Sequence, residues 1–145
     1  SQWTTWLTKT IPSIHEAYMN LLHQTKSLRD YPPEPIKHVC KCEKAECQAL
    51  AVTIVTFTKI TKLNLIICSC HPAARQLVEL GLLPCAPVHP TLAMDIRVLE
   101  FVTRLFVNLP PNNTAWCTAM ESFLEYQGYA LAGKVSRMLE IMLLN

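Results

Sequence analysis

Glycine is scarce in this 145-residue chain: Gly81, Gly128 and Gly133 are the whole supply. A loop that cradles phosphate through its backbone needs several glycines close together, so that class of nucleotide site is excluded. Aspartate is scarcer still, with Asp30 and Asp95 alone. A two-metal nuclease or strand-transfer centre needs several converging carboxylates. Asp95 and Glu100 stand about 140° apart round an ideal helix and do not converge. There is no Gly-x-Ser-x-Gly and no His-Glu-x-x-His. No apolar run reaches the ~18 residues of a membrane helix, so no membrane partner is expected. Ser1 and Gln2 begin no basic, apolar, small-residue leader, which gives a nuclear or otherwise intracellular location as the expectation. The missing initial Met gives the further expectation of a fragment or a processed chain. Charged residues are only 17% and the net charge is +2, too mild to announce a nucleic-acid binder. Half the residues are apolar, enough for a core and too many for a disordered tail.

What the chain does have is cysteine. There are seven, and five fall between residues 40 and 70: the Cys-x-Cys pairs Cys40/Cys42 and Cys68/Cys70, with Cys47 between them. Seven is odd, so complete internal pairing is impossible. Paired thiols at two stations are how a tetrahedral thiolate site is built. Three states are open to these sulfurs: ligands of a structural zinc, disulfides, or unligated thiols. A reducing compartment weakens the second. Cys47 is the first alternate ligand, and His38 and His71, each close to a station, are further alternates. A zinc closed by four thiolates is structural, because catalytic zinc keeps an open position. Cys85 and His89 are close in sequence, but among prolines they read as packing and not as nucleophile and base.

Residues 1–30 read as an N-terminal helical arm. The spacing of Ile14, Tyr18, Leu21 and Leu22 is helical, and Pro12-Ser13 suits the start. Residues 31–36 hold three prolines and read as a stiff linker. Residues 50–57 and 63–68 are rich in β-branched side chains and predict a hairpin across a polar turn. Two strands alone are marginal in water. The cysteine pairs bracket this hairpin at its open end, where a metal would staple it, so zinc is the expected cofactor. A helix over 71–80 follows, ended by Gly81. Residues 82–90 read as an extended proline strap. Residues 91–107 read as an amphipathic helix with 92, 96, 99, 102 and 106 on its apolar face. Asn113 can cap the next helix, with Trp116, Met120, Phe123 and Leu124 apolar. Residues 134–144 predict a final short helix. The fold class expected is α+β, with a cysteine-cluster domain over 37–132 and an atypical C-terminal helix over 133–145.

The basic excess lies on the cysteine region. Lys37, Lys41, Lys44, Lys59 and Lys62 outweigh Glu43 and Glu46 there. A solvated loop and hairpin tip is the simpler reading. Phosphate tracking by these lysines is the functional one, with DNA bound weakly and without sequence preference. Phe57 is the lone aromatic among them, which disfavours base stacking.

The run Cys68-Ser-Cys70-His-Pro-Ala-Ala-Arg-Gln-Leu-Val-Glu-Leu-Gly81, continued by Leu-Leu-Pro84-Cys-Ala-Pro87-Val-His-Pro90-Thr-Leu-Ala93, is distinctive. So are Asp95-Ile-Arg97-Val-Leu99-Glu-Phe101-Val, Pro111-Asn-Asn-Thr114-Ala-Trp116 and Gly128-Tyr129-Ala-Leu131. Together, over about residues 38–132, they resemble the first type of CxC cysteine cluster accompanying KDZ (Kyakuja–Dileera–Zisupton) transposases in fungi. The resemblance implies a zinc-binding module ahead of a transposase catalytic domain, with Cys40, Cys42, Cys68 and Cys70 at the family's two stations. Such chains run on into a nuclease-like domain, and an Arg-rich, aromatic stretch follows Leu131. Residues 133–145 do not look like that stretch, so a truncated element or a cut fragment is expected. The expected function is a non-catalytic zinc module that binds DNA or a transposase catalytic domain. A protein–protein interaction module and an inert remnant of a mobile element are the alternatives.

Overall fold

The computed structural model describes residues 1–36, 39–43 and 46–131. The expected helix over 134–144 lies outside them, as do Lys37, His38 and Lys44.

The N-terminal helix begins earlier than the sequence suggests. Ser1 caps α1 (Gln2–Thr5) by accepting the Thr4 amide. A π-helical turn, Trp6–Thr10, leads into α2 (Ile11–Gln24) without a break. Pro12 explains the turn. It lacks an N–H, and its ring crowds the carbonyl one turn back, so the chain widens and the Ile11 amide reaches Trp6 O. Pro12 stands in the first turn of α2, as the sequence suggests, with the widened turn directly before it. α2 buries Ile14, Ala17 and Leu21 against Ala74, Val78 and Ile96, so the arm is docked on the body. Tyr18 also donates to Glu100 at 3.0 Å. Thr25 ends α2 by bonding Leu21 O at 2.7 Å and accepting the Leu28 amide at 3.0 Å. Lys26, Ser27 and Leu28 then take left-handed φ values of 50°, 59° and 70°. Non-glycine residues rarely adopt them, and backbone bonds from Ser27 to Leu22 and from Asp30 to Thr25, both 2.8 Å, hold the reversal.

The hairpin forms as predicted, from β1 (Gln48–Val55) and β2 (Ile60–Ile67), in antiparallel register from Gln48↔Ile67 to Val55↔Ile60. It belongs to a larger sheet. After α3 (Ala73–Glu79) the chain adds β3 (Leu82–Pro84) and β4 (Leu92–Asp95), in the order β2-β1-β4-β3, with β4 parallel to β1.

Two expectations are corrected here. The proline strap opens as β3, because β3 is an edge strand, where Pro84 can sit without an N–H. Residues 92–95 are strand, and α4 (Ile96–Asn108) starts only after Asp95, whose carboxylate accepts the Arg97 amide at 2.9 Å. Leu92 therefore lies off the helical stripe assigned to it, and α4 buries Ile96, Val98 and Val102.

β4 is central, and its neighbouring residues face opposite cores. Ala93 joins Val52, Ile54, Leu65 and Leu77 on the α3 face. Met94 joins Val55, Val98, Cys117, Met120 and Leu124 on the other, which α4 and α5 (Asn113–Tyr126) cover. Asn112, one residue before the expected cap, accepts the Ala115 amide at 3.0 Å. Phe123, expected on the apolar face of α5, is 47% exposed.

One knot ties the linker to this body. The Tyr31 hydroxyl donates to the carbonyls of Leu80 (3.3 Å) and Gly81 (3.1 Å). The Arg97 guanidinium lies 3.7 Å over the Tyr31 ring and grips buried Asp95 through both carboxylate oxygens. Burial, and then the Asp95 charge, push the Tyr31 phenol up to about 12, with Arg97 pulling the other way. Gly81 has φ +81°, and a Cβ there would meet Tyr31 Cε2 at 2.7 Å. Gly81→Ala combines left-handed strain with this clash and should cost at least about 2 kcal/mol. Tyr31→Phe keeps the ring and should cost about 1 kcal/mol. Denaturant unfolding of the two variants beside the parent checks both values.

Candidate metal centre

The centre is built at the open end of the hairpin. β2 stops at Ile67, and the next four residues turn back on themselves, with Cys68 N bonded to His71 O at 3.4 Å and His71 N to Cys68 O at 3.2 Å. Gln76 of α3 pins this turn from behind. Its side-chain nitrogen donates to His71 O and to Ile66 O, both at 2.8 Å. The other station, Cys40 and Cys42, lies on extended chain before β1, and the Cys42 amide donates to Cys40 Sγ at 3.3 Å. Antiparallel pairing makes the chain entering β1 and the chain leaving β2 neighbours, so the stations meet.

The thiol sulfurs of Cys40, Cys42, Cys68 and Cys70 all lie within 4.8 Å of one another. The separations are 3.4 Å for Cys40–Cys68, 3.6 Å for Cys40–Cys70, 3.3 Å for Cys42–Cys70 and 3.2 Å for Cys68–Cys70. A tetrahedral shell with metal–sulfur bonds of about 2.3 Å has edges of about 3.8 Å. The thiols stand near that spacing and far from the ~2.05 Å of a disulfide. None of the seven cysteines is disulfide-bonded. Four soft sulfur donors at this spacing can hold a metal ion.

The electrostatics agree. Hydrogen bonding to Cys70, then burial, then the Cys40 and Cys42 thiols push the Cys68 thiol up to about 12, against a lowering by the His71 backbone. For Cys40 the Cys42 amide and the Cys68 thiol pull downward, but Cys70, burial and Cys47 outweigh them, and the net direction is up.

The remaining candidates fall elsewhere. Cys47 Sγ is 3.9 Å from Cys40 Sγ but outside the group of four. His71 Nε2 lies 3.5 Å from Glu79, which also takes Arg75 Nε at 3.1 Å, and His71 is not in the group. His38 is outside the described residues. Cys85 and Cys117, the latter on α5, are core residues. Lys37 and Lys44 lie outside the described residues, and the three described lysines stand at two ends of the hairpin. Lys41 sits between the first two cysteines, whereas Lys59 is in the hairpin turn and Lys62 pairs with Thr53 near it. At about 3.3 Å per strand residue, the turn is more than about 20 Å from the thiols. Sequence reasoning missed Gln76, because an amide aimed at two carbonyls leaves no motif. It also missed the Tyr31–Arg97–Asp95 knot, for which Asp95-x-Arg97 at a helix start was the available signal.

The chain belongs to the family described as CxC1-like cysteine clusters associated with KDZ transposases, whose pattern matches residues 25–128. Comparison with curated proteins and with solved structures returned no match. The match spans the linker knot, both cysteine stations and the sheet, so these form a cysteine-cluster domain of the transposase-associated type. Among the described residues no helix is long and apolar enough to cross a membrane.

Metal binding here must displace thiol protons, so affinity rises with pH. Lowering the pH from 8 to 6 should weaken apparent affinity by about tenfold or more per unit. Competition with a chelator of known affinity at each pH measures the slope, and a flat profile would exclude the thiols as ligands.

Proposed function

We propose that this chain is a non-catalytic structural zinc module of transposase origin that supports binding to DNA or to a transposase catalytic domain. The observation that carries the reading is the meeting of Cys40, Cys42, Cys68 and Cys70 within 4.8 Å at the open end of the hairpin. Four thiolates fill a tetrahedral shell and leave no position for substrate, which suits a structural ion. Tetrahedral all-sulfur sites take zinc or iron. Zinc is the reading preferred, because it is redox-inert and imposes no ligand-field geometry against a closed tetrahedral thiolate shell. Metal analysis with an absorption spectrum separates the two: zinc leaves the protein colourless, and an iron–sulfur centre colours it.

DNA binding rests on the separated lysines. Lys41 beside the centre and Lys59 and Lys62 at the turn could touch phosphates along one duplex. A second reading, a protein interface, is favoured by exposed apolar side chains on the helical face: Phe101 at 54%, Val107 at 78% and Tyr126 at 86%. Salt discriminates the readings. With Lys41, Lys59 and Lys62 all changed to Gln, the slope of log affinity against log salt should flatten by up to about 3 units. Mobility shifts on random duplex at several salt concentrations read this slope. Unaltered binding would reduce the lysines to a solvated face, and absent binding would leave the protein interface or an inert remnant.

Cys68→Ser removes a central ligand and should abolish zinc binding. Cys85→Ser should keep full zinc content and lose about 1–3 kcal/mol, because it puts a hydroxyl in an apolar core. Zinc content and thermal unfolding of both variants test this. Full zinc occupancy in Cys68→Ser would sink the four-thiolate site.

A further inference from the structure

Cys47 lies against the centre without belonging to it. Its sulfur is 3.9 Å from Cys40 Sγ and 3.9 Å from the Glu43 carbonyl. If the group of four fills a tetrahedral shell, a fifth sulfur is left touching one ligand from outside. Cys40 is exposed and Cys47 half-exposed, so a water-borne oxidant reaches both, while Cys85 and Cys117 are buried. Neither Cys40 nor Cys47 is fixed in a helix or strand. Closing 3.9 Å to the ~2.05 Å of a disulfide therefore asks for side-chain rotation and a small loop adjustment, with no strand to break.

We propose that Cys47 is the oxidation site of this centre, and that a Cys40–Cys47 disulfide formed with a peroxide removes Cys40 from the metal and releases the ion. The inference rests on the reading of the four thiols as metal ligands. A sulfur lone pair of Cys47 attacks one peroxide oxygen, and the O–O bond breaks. With hydrogen peroxide, Cys47 becomes a sulfenic acid and water departs. The Cys40 thiolate leaves the metal and attacks the Cys47 sulfur. The S–S bond forms, the S–O bond breaks, and hydroxide leaves. Two sulfurs have lost two electrons to one peroxide, and Cys42, Cys68 and Cys70 remain to hold the ion. Three thiolates bind a metal less firmly than four, and the opened position admits water. A thiol reductant cleaves the disulfide and restores the shell.

The test uses the full metal-loaded chain. Hydrogen peroxide is added, released metal is followed with a chromogenic chelator, and the linked cysteines are identified by peptide mass spectrometry. The parent should lose its metal and yield a Cys40–Cys47 peptide pair, both reversed by reductant. Cys47→Ser should bind the same amount of metal before treatment and keep it through the same exposure, with Cys85→Ser behaving like the parent. Equal metal loss from Cys47→Ser overturns the proposal, as does a Cys68–Cys70 link as the main product. Metal loss from Cys47→Ser before any oxidant also overturns it, since Cys47 would then be a ligand. A parent that holds no metal defeats the metal-centre reading separately. Peptide mapping then decides alone, with the Cys40–Cys47 link upholding the pairing and any other link rejecting it.

Discussion

Four thiolates repel one another, and within 4.8 Å they are stable together only around a cation. The hairpin register brings two stretches of chain with little regular structure to the same place, and the sulfurs fill the space between them. In the protonated state the thiols share weak hydrogen bonds between sulfurs. With an ion, the same crowding becomes coordination. Gln76 shows how the rest of the protein serves this end, since α3 spends a polar side chain on holding two carbonyls of the knuckle in place.

The linker is anchored at Tyr31 by two carbonyls and by the Arg97 guanidinium. Arg97 in turn is fixed by Asp95, which also caps α4. One carboxylate thus sets the start of a helix and holds a cation over a ring. The matched family region begins at residue 25, so it takes in this anchor together with the cysteines.

The hairpin, both cysteine stations and α3 were legible because each has a local pattern: β-branched runs, Cys-x-Cys spacing, Pro before and Gly after a helix. The strands β3 and β4 were not. Leu82–Pro84 is too short to show alternation and contains a proline, and Leu92–Asp95 buries residues on both faces, so neither carries a period of two. Leu92, Ile96 and Leu99 happen to fall at helical spacing, and that false stripe hid the capping role of Asp95. The helical arm and the start of α2 at Pro12 were legible too, whereas the π turn before it leaves no sequence period of its own. The gathering of thiols followed from pairing geometry, and so did the place of Lys59 and Lys62 at the hairpin tip, away from Lys41.

The parallel pairing of β4 with β1 also fixes an order of assembly. Cys40 and Cys68 are 28 residues apart, and the hairpin between them is made of local contacts. The β1–β4 pairing instead joins Thr53 to Leu92 and must wait for a longer stretch of chain. Contacts close in sequence form sooner, and a chain emerging from synthesis offers them first. The hairpin can therefore be stapled while β4 is still to come, leaving β1 with one apolar edge open as a template. A growing chain that finds no metal has the same open edge without the staple. Unpaired apolar edges invite pairing with other chains. On the zinc-module proposal, metal scarcity would be felt first by newly made chains, whose open edge can pair with others.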